Sequence, residues 1–166
     1  LQKLLDVPKN LIMNQEDFVA VRKEIVALPK ENHLDTYINF VLATIRFSEA
    51  ASDDVARMTK GNAWANASVE PHFTDHPSLY TENELSVRTA RAWQRYARAL
   101  AWFAGKETVD AESIKAIFPY TTWHKLKPSE KATTEFPKST NDRIGFAKKL
   151  LEKIDEQWVT IQAEPR

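Results

Sequence analysis

Four arginines, Arg88, Arg91, Arg95 and Arg98, stand three, four and three residues apart. On a helix that spacing places them along one side. A planar, permanently charged guanidinium suits carboxylate or phosphate oxygens. Arg88 differs from the other three. Ser86 suits the N-cap of a helix that begins after it, which sets Arg88 in the first turn. A cation there opposes the positive end of the helix dipole and gains nothing locally, so its placement points to an external anion. First-turn amides, dipole and guanidinium would converge on one phosphate-like group. Arg88 is therefore the candidate for both cofactor binding and electrostatic catalysis, whereas Arg91, Arg95 and Arg98 read as a solvated face.

Other residue types that could do chemistry carry less. His72 and His76, with Asp75 between them, have the spacing of a helical metal pair. Pro71 and Pro77 argue against a helix there, and no further ligand is fixed nearby. No metal site is expected. Asp53-Asp54 follows Ala50-Ala51-Ser52, without the buried strand of branched residues that a Walker B pair needs, and reads as first-turn helix acids. The only glycines are Gly61, Gly105 and Gly145, so the chain cannot form a GxxxxGK[ST] phosphate cradle, and it has no GxGxxG, GxSxG or HExxH. His124 reads as a hydrogen-bonded structural residue. The chain alone is not expected to catalyse a reaction.

The element that must position Arg88 is a helix within Glu84–Gly105. Its period puts Trp93, Tyr96, Ala97, Leu100, Phe103 and Ala104 on the core side, with Gly105 just past the end. Upstream, Asn14 caps a helix to Leu28 that carries Phe18, Val21, Ile25 and Leu28 inward, stopped by Pro29. A second helix follows from Leu34 to about Phe47, and Ser52 could cap a short one to Met58. Residues 62–83 hold Pro71 and Pro77 and no sustained period, and read as a surface insertion. Asp110 caps a short helix that ends at Pro119, a further turn follows to Leu126, and Trp123 is expected to close the core. Ser129–Lys138 reads as a linker. From Thr140 to Ile161 an apolar seam of Ile144, Ala147, Leu151, Ile154, Trp158 and Ile161 needs a partner. That partner is either the rest of this chain or another domain or subunit.

Composition bounds the reading. The chain has 166 residues, 43% hydrophobic, with three glycines, which suits one helical domain with a sizeable core. Lysine plus arginine equals aspartate plus glutamate at 23 each, so no global cationic field favours nucleic acid. Residues 1–83 hold 8 basic and 12 acidic residues and residues 84–166 hold 15 and 11, which makes the second half the anion-facing side. Cysteine is absent, which fits a reducing cytoplasm. No apolar run reaches membrane-spanning length. The opening Leu1-Gln2-Lys3-Leu4-Leu5, without an initiator methionine, looks like a connector over 1–13 from a missing upstream domain.

Several runs resemble one family. Ser86-Val87-Arg88, Ala99-Leu100-Ala101, Gly105-Lys106, Val109-Asp110-Ala111-Glu112-Ser113-Ile114 and His124-Lys125-Leu126 are similar to the C-terminal lid of MoxR-type AAA+ ATPases, RavA-like members included. Tyr37-Ile38 and Ala43-Thr44-Ile45-Arg46 fit the helix that precedes the sensor-2 segment in that family. The likeness spans roughly Asn14 to Leu126, and the family's Gly-Ala-Ser-Pro-Arg reads here as Glu84-Leu85-Ser86-Val87-Arg88.

The resemblance implies an all-α, lid-type helical bundle over 14–128, with a long irregular insertion and an extra C-terminal helix within 129–166. It implies that Arg88 is the sensor-2 arginine, which reads ATP phosphates. In a full-length parent it implies Mg2+ and ATP, an N-terminal ATPase core, a homo-hexameric ring that remodels or matures client proteins, and a von Willebrand factor A domain partner. The lid of a magnesium chelatase ATPase subunit is a near alternative. From other classes, a nucleic-acid-binding module using the arginine row and a protein-interaction scaffold stay open.

Overall fold

The computed structural model describes residues 13–46, 76–83 and 85–163. Residues 1–12 of the expected connector, the helix expected from Ser52, Asp53, Asp54, His72 and Asp75 lie outside them. Seven α-helices run through the described residues: α1 (Gln15–Ala27), α2 (Leu34–Arg46), α3 (Val87–Phe103), α4 (Ala111–Thr122), α5 (Glu130–Glu135), α6 (Pro137–Asn141) and α7 (Arg143–Ala163). A 3₁₀ turn covers Pro77–Tyr80. Extended pairing among the described residues is limited to two isolated bridges, so the expected all-α class holds.

The centre is Trp93 of α3, fully buried, with its ring centre 5.2 Å from that of Phe118 on α4. Ala90, Ala97 and Ala101 share its face and are buried with it. The inward side of α3 is thus turned from the expected one by about half the angle between successive residues. Tyr96 and Phe103, expected inside, are 57% and 85% exposed. The alanines let neighbouring backbones approach, and that close approach decides the face over the larger aromatic rings. Gly105 ends the helix at φ 69°. Its amide donates to Trp102 O at 3.0 Å and the Lys106 amide to Ala101 O at 2.9 Å, the paired bonds of a glycine-terminated helix.

The first helix also departs from expectation. Asn14 and Asp17 cap it reciprocally, each backbone amide donating to the other's side chain at 2.9 Å. Yet α1 holds no buried residue, and Phe18 is 60% exposed. It leans on α3 from outside, where Trp102 Nε1 donates to Glu24 at 2.9 Å, and only Leu28 at its end packs against the core. Helix α2 follows its apolar period, burying Leu34, Tyr37, Ile38, Val41 and Ile45.

Pro119 lies inside α4 and does not end it. Thr121 Oγ1 donates to Ile117 O at 2.9 Å, Thr122 Oγ1 donates to Phe118 O, and the Trp123 amide donates to Pro119 O at 3.1 Å. These bonds carry the last turn past the missing proline N–H. Trp123 itself is 37% exposed and does not close the core.

The surface-insertion reading fails for residues 76–83. Pro77, Ser78, Tyr80 and Thr81 are buried, Tyr80 OH donates to Glu135 at 2.8 Å, and its ring lies 5.1 Å from Phe136. The Glu82 amide donates to Lys127 O at 2.8 Å and the Ser129 amide to Tyr80 O at 3.0 Å, so the strap is fastened on both sides. One buried aromatic outweighs the loop-like local composition. Nor is 129–138 a linker. Ser129 caps α5 by accepting from the Ala132 amide at 3.2 Å, and Ala132 is fully buried. The seam of α7 folds back on this same bundle, with Phe146, Ala147, Leu150, Leu151 and Ile154 buried and its main contact on α4.

Candidate functional site

The site starts where the strap meets α3. Buried Leu85 anchors the chain, and Ser86 takes the N-cap position with extended backbone at φ −83° and ψ 160°. The Ser86 side chain does not cap the helix. Its Oγ lies 3.5 Å from Thr89 Oγ1, and the Thr89 amide donates instead to Ser86 O at 2.8 Å. The start of α3 is therefore open to an outside acceptor. Arg88 is exposed in that first turn, and no ion pair or hydrogen bond engages it among the described residues.

A second cation comes beside that turn. Lys125, on the turn after α4, donates through Nζ to Thr89 Oγ1 at 3.2 Å. Its backbone is fixed from two sides. The Lys125 amide donates to Thr122 O at 2.8 Å, and Asn83 Nδ2 donates to the Lys125 carbonyl. Asn83 Oδ1 in turn accepts from the Lys127 amide at 2.7 Å and from Thr81 Oγ1 at 3.1 Å. Asn83 thus latches the strap to the end of α4 and brings Lys125 beside the turn that carries Arg88. No carboxylate among the described residues pairs with either cation. Two unneutralised cations beside an open helix start suit a phosphate-sized anion.

The rest of the arginine row does not join them. Arg91 and Arg95 are exposed, and Arg98 is half-buried, with its Nε buried and unpaired among the described residues. His124 is exposed, its ring edge-on to Trp123 at 5.6 Å. His76 is half-buried and turned into the fold, its Nδ1 accepting from the Ser78 amide at 3.3 Å. Burial pushes its pKa down to about 4. Among the described residues no three His, Cys, Asp or Glu side chains group as metal ligands, and no helix is long and apolar enough to cross a membrane.

Residues 77–144 match the family model of the AAA lid domain. The matched stretch supports an AAA+ ATPase lid and takes in the 3₁₀ turn, α3, α4 and the turn that bears Lys125, hence both Arg88 and Lys125. No curated protein and no solved structure matches the chain. Within this stretch, sequence reasoning singles out Arg88 and passes over Lys125 and Asn83. Lys125 stands in the His124-Lys125-Leu126 run, but its nearness to Thr89 depends on α4 returning to the start of α3. Asn83 carries no signal of its own in the sequence, since its role depends on pairing with residues 125–127.

Proposed function

We propose that this chain serves as the lid of a MoxR-type AAA+ ATPase and that Arg88 is its sensor-2 arginine. The observation that supports this most is Arg88 exposed in the first turn of α3, without an ion pair among the described residues, inside the stretch that matches the AAA lid domain. Bound Mg2+ and ATP supply the phosphoanhydride whose hydrolysis drives the parent's cycle. The chain's own part is electrostatic: Arg88 neutralises charge on the terminal phosphates, aided by the open amides of its turn. Lys125, tethered at Thr89, raises the local positive potential. In this reading the ion is held by the parent's N-terminal ATPase core. In that parent the lid works within a cytoplasmic homo-hexameric ring, with a von Willebrand factor A domain protein as partner, for remodelling or maturation of client proteins.

The test is Arg88→Ala in the intact ATPase. Turnover should fall by about two to three orders of magnitude, the scale for losing one preorganised charged donor at a developing anion. A wild-type rate would sink the assignment.

Arg91 and Arg95, exposed and without an ion pair among the described residues, favour a second reading, in which a nucleic-acid backbone runs along the row. The balanced charge of the chain and the buried position of Trp93 weigh against it. Titrating DNA or RNA at two salt concentrations separates the readings, because phosphate-backbone binding weakens steeply with salt.

A further inference from the structure

Helices α3 and α4 run antiparallel, since Lys125 after the end of α4 returns to Thr89 at the start of α3. Between them the surface holds a groove of about 530 Å³. Ala92 and Tyr96 form one wall, Ile117, Tyr120 and Thr121 the other, and His124 with Lys125 closes one end. Tyr96 and Tyr120 are 57% and 59% exposed. Aromatic rings presented in this way beside an apolar floor are typical of protein-binding surfaces.

Charge selects the occupant. Among the described residues the lining contains no carboxylate. Lys125 stands at its end, and Lys148 Nζ from α7 lies 6.0 Å from the centre of the Tyr120 ring. Neither lysine forms an ion pair among the described residues. We propose that this groove docks an acidic peptide segment of a partner protein. A large apolar side chain of that segment enters between Tyr96 and Tyr120, and its flanking carboxylates meet Lys125 and Lys148. A nucleic-acid strand suits the groove less well, because Lys148 already covers one face of Tyr120 and stacking needs a free face. This surface shares Lys125 with the phosphate site but differs from it in what it reads, and it stands whether or not Arg88 senses ATP.

The test uses the whole chain and a fluorescein-labelled synthetic peptide of about twelve residues, with a Leu-Trp pair set among glutamates. The same peptide with lysines for glutamates and a single-stranded DNA oligonucleotide serve as comparisons, read by fluorescence anisotropy. The glutamate peptide should bind saturably and at least about tenfold more tightly than the lysine peptide, a difference of about 1.4 kcal/mol. Tyr96→Ser and Tyr120→Ser should each weaken it about tenfold, as expected for aromatic anchors. Both tyrosines are exposed, so the fold should survive, which circular dichroism checks. Lys148→Glu should weaken the glutamate peptide and strengthen the lysine peptide, an inversion that a purely structural role would not give. Arg88→Ala should leave the peptide affinity within about twofold, which separates this result from failure of the ATP reading. Absence of saturable binding, equal affinity for both peptides, or tighter binding of the oligonucleotide overturns the proposal. So does concentration-dependent self-association abolished by the tyrosine variants, which would assign the groove to a second copy of the chain.

Discussion

The hydroxyl of Tyr37 on α2 donates to Asp155 Oδ1 on α7 at 2.6 Å, joining residues 118 positions apart. Asp155 also meets Lys115 of α4 at 3.2 Å, and Lys115 meets Glu112 at 2.9 Å. Burial, then the bond to Asp155, pushes the Tyr37 pKa far above its ordinary value, so the phenol keeps its proton and acts as a donor. Burial alone would lower the Lys115 pKa, but Glu112 and Asp155 outweigh it and the net shift is upward. Three helices are thus registered by one polar network. The Tyr37 ring also meets Trp158 edge-on at 5.5 Å, and Phe40 lies 5.0 Å from Trp158.

Removing the hydroxyl should loosen α7 without emptying space. Tyr37→Phe is expected to cost about 1–3 kcal/mol, the range for a buried hydrogen bond to a charged group. Trp158→Ala should cost about 3 kcal/mol, the low end for such truncations because the ring is only partly buried. Chemical denaturation measures both. Unchanged midpoints would mean that α7 does not dock on this bundle in solution.

The strap gives a sharper contrast. If 76–83 were a surface loop, Tyr80→Ala would be nearly neutral. With Tyr80 fully buried and bonded to Glu135, the same change should cost about 3–5 kcal/mol, as for other buried aromatic truncations. Thermal or urea unfolding decides between the two.

Acid sensitivity should begin at His76. Its folded pKa of about 4 lies below the ordinary 6.5, so the unfolded chain binds the proton more readily. The stability this group contributes is complete above pH 6.5 and is lost as pH falls towards 4. By linkage the loss between pH 6.5 and 5 is at most about 2 kcal/mol. A lower window belongs to Asp110. Burial raises its pKa, but hydrogen bonds from Lys106, the Ser113 hydroxyl and the Ser113 amide, with the Lys106 charge, bring it down to about 2 from 3.8. Its stabilisation is therefore lost below about pH 4. Comparing wild type with His76→Asn isolates the upper window: the variant should lose less stability between pH 7 and 5. Parallel curves would refute the assignment.

What the sequence showed and hid follows from distance along the chain. The seams of α2 and α7 are apolar at helical spacing, and both were legible. The capping residues Asn14, Asp110 and Ser129 act within three positions of themselves; of these only Ser129 was misjudged, because two threonines and Pro137 follow it. By contrast, the burial of Tyr80 depends on α2, α5 and α7 arriving around it, and nothing near residue 80 announces that. The face of α3 was misjudged for a related reason. Ring size favoured Tyr96 and Phe103, while closeness of backbones, a property of the packed bundle, favoured Ala90 and Ala101. The exposed first-turn position of Arg88 was legible, because a cation there conflicts with a local rule and the conflict is visible without the fold.

The phosphate reading is best tested by the difference between two arginines. Arg88 and Arg95 are both exposed on α3, seven residues or roughly 10 Å apart along the axis, too far to share one phosphate group. Both side chains are exposed and neither forms an ion pair among the described residues, so truncating either should open no cavity and cost little stability. Removing Arg88 also takes a cation from the positive end of the helix dipole, which is neutral or slightly stabilising. On the sensor-2 reading, Arg88→Ala in the proposed parent ATPase should lose about two to three orders of magnitude in turnover, whereas Arg95→Ala should change it by less than about threefold, as for an exposed residue away from the site. Melting temperatures should match wild type for both. Equal losses at the two positions would instead favour an extended polyanion lying along the helix, with affinity that falls steeply as salt rises.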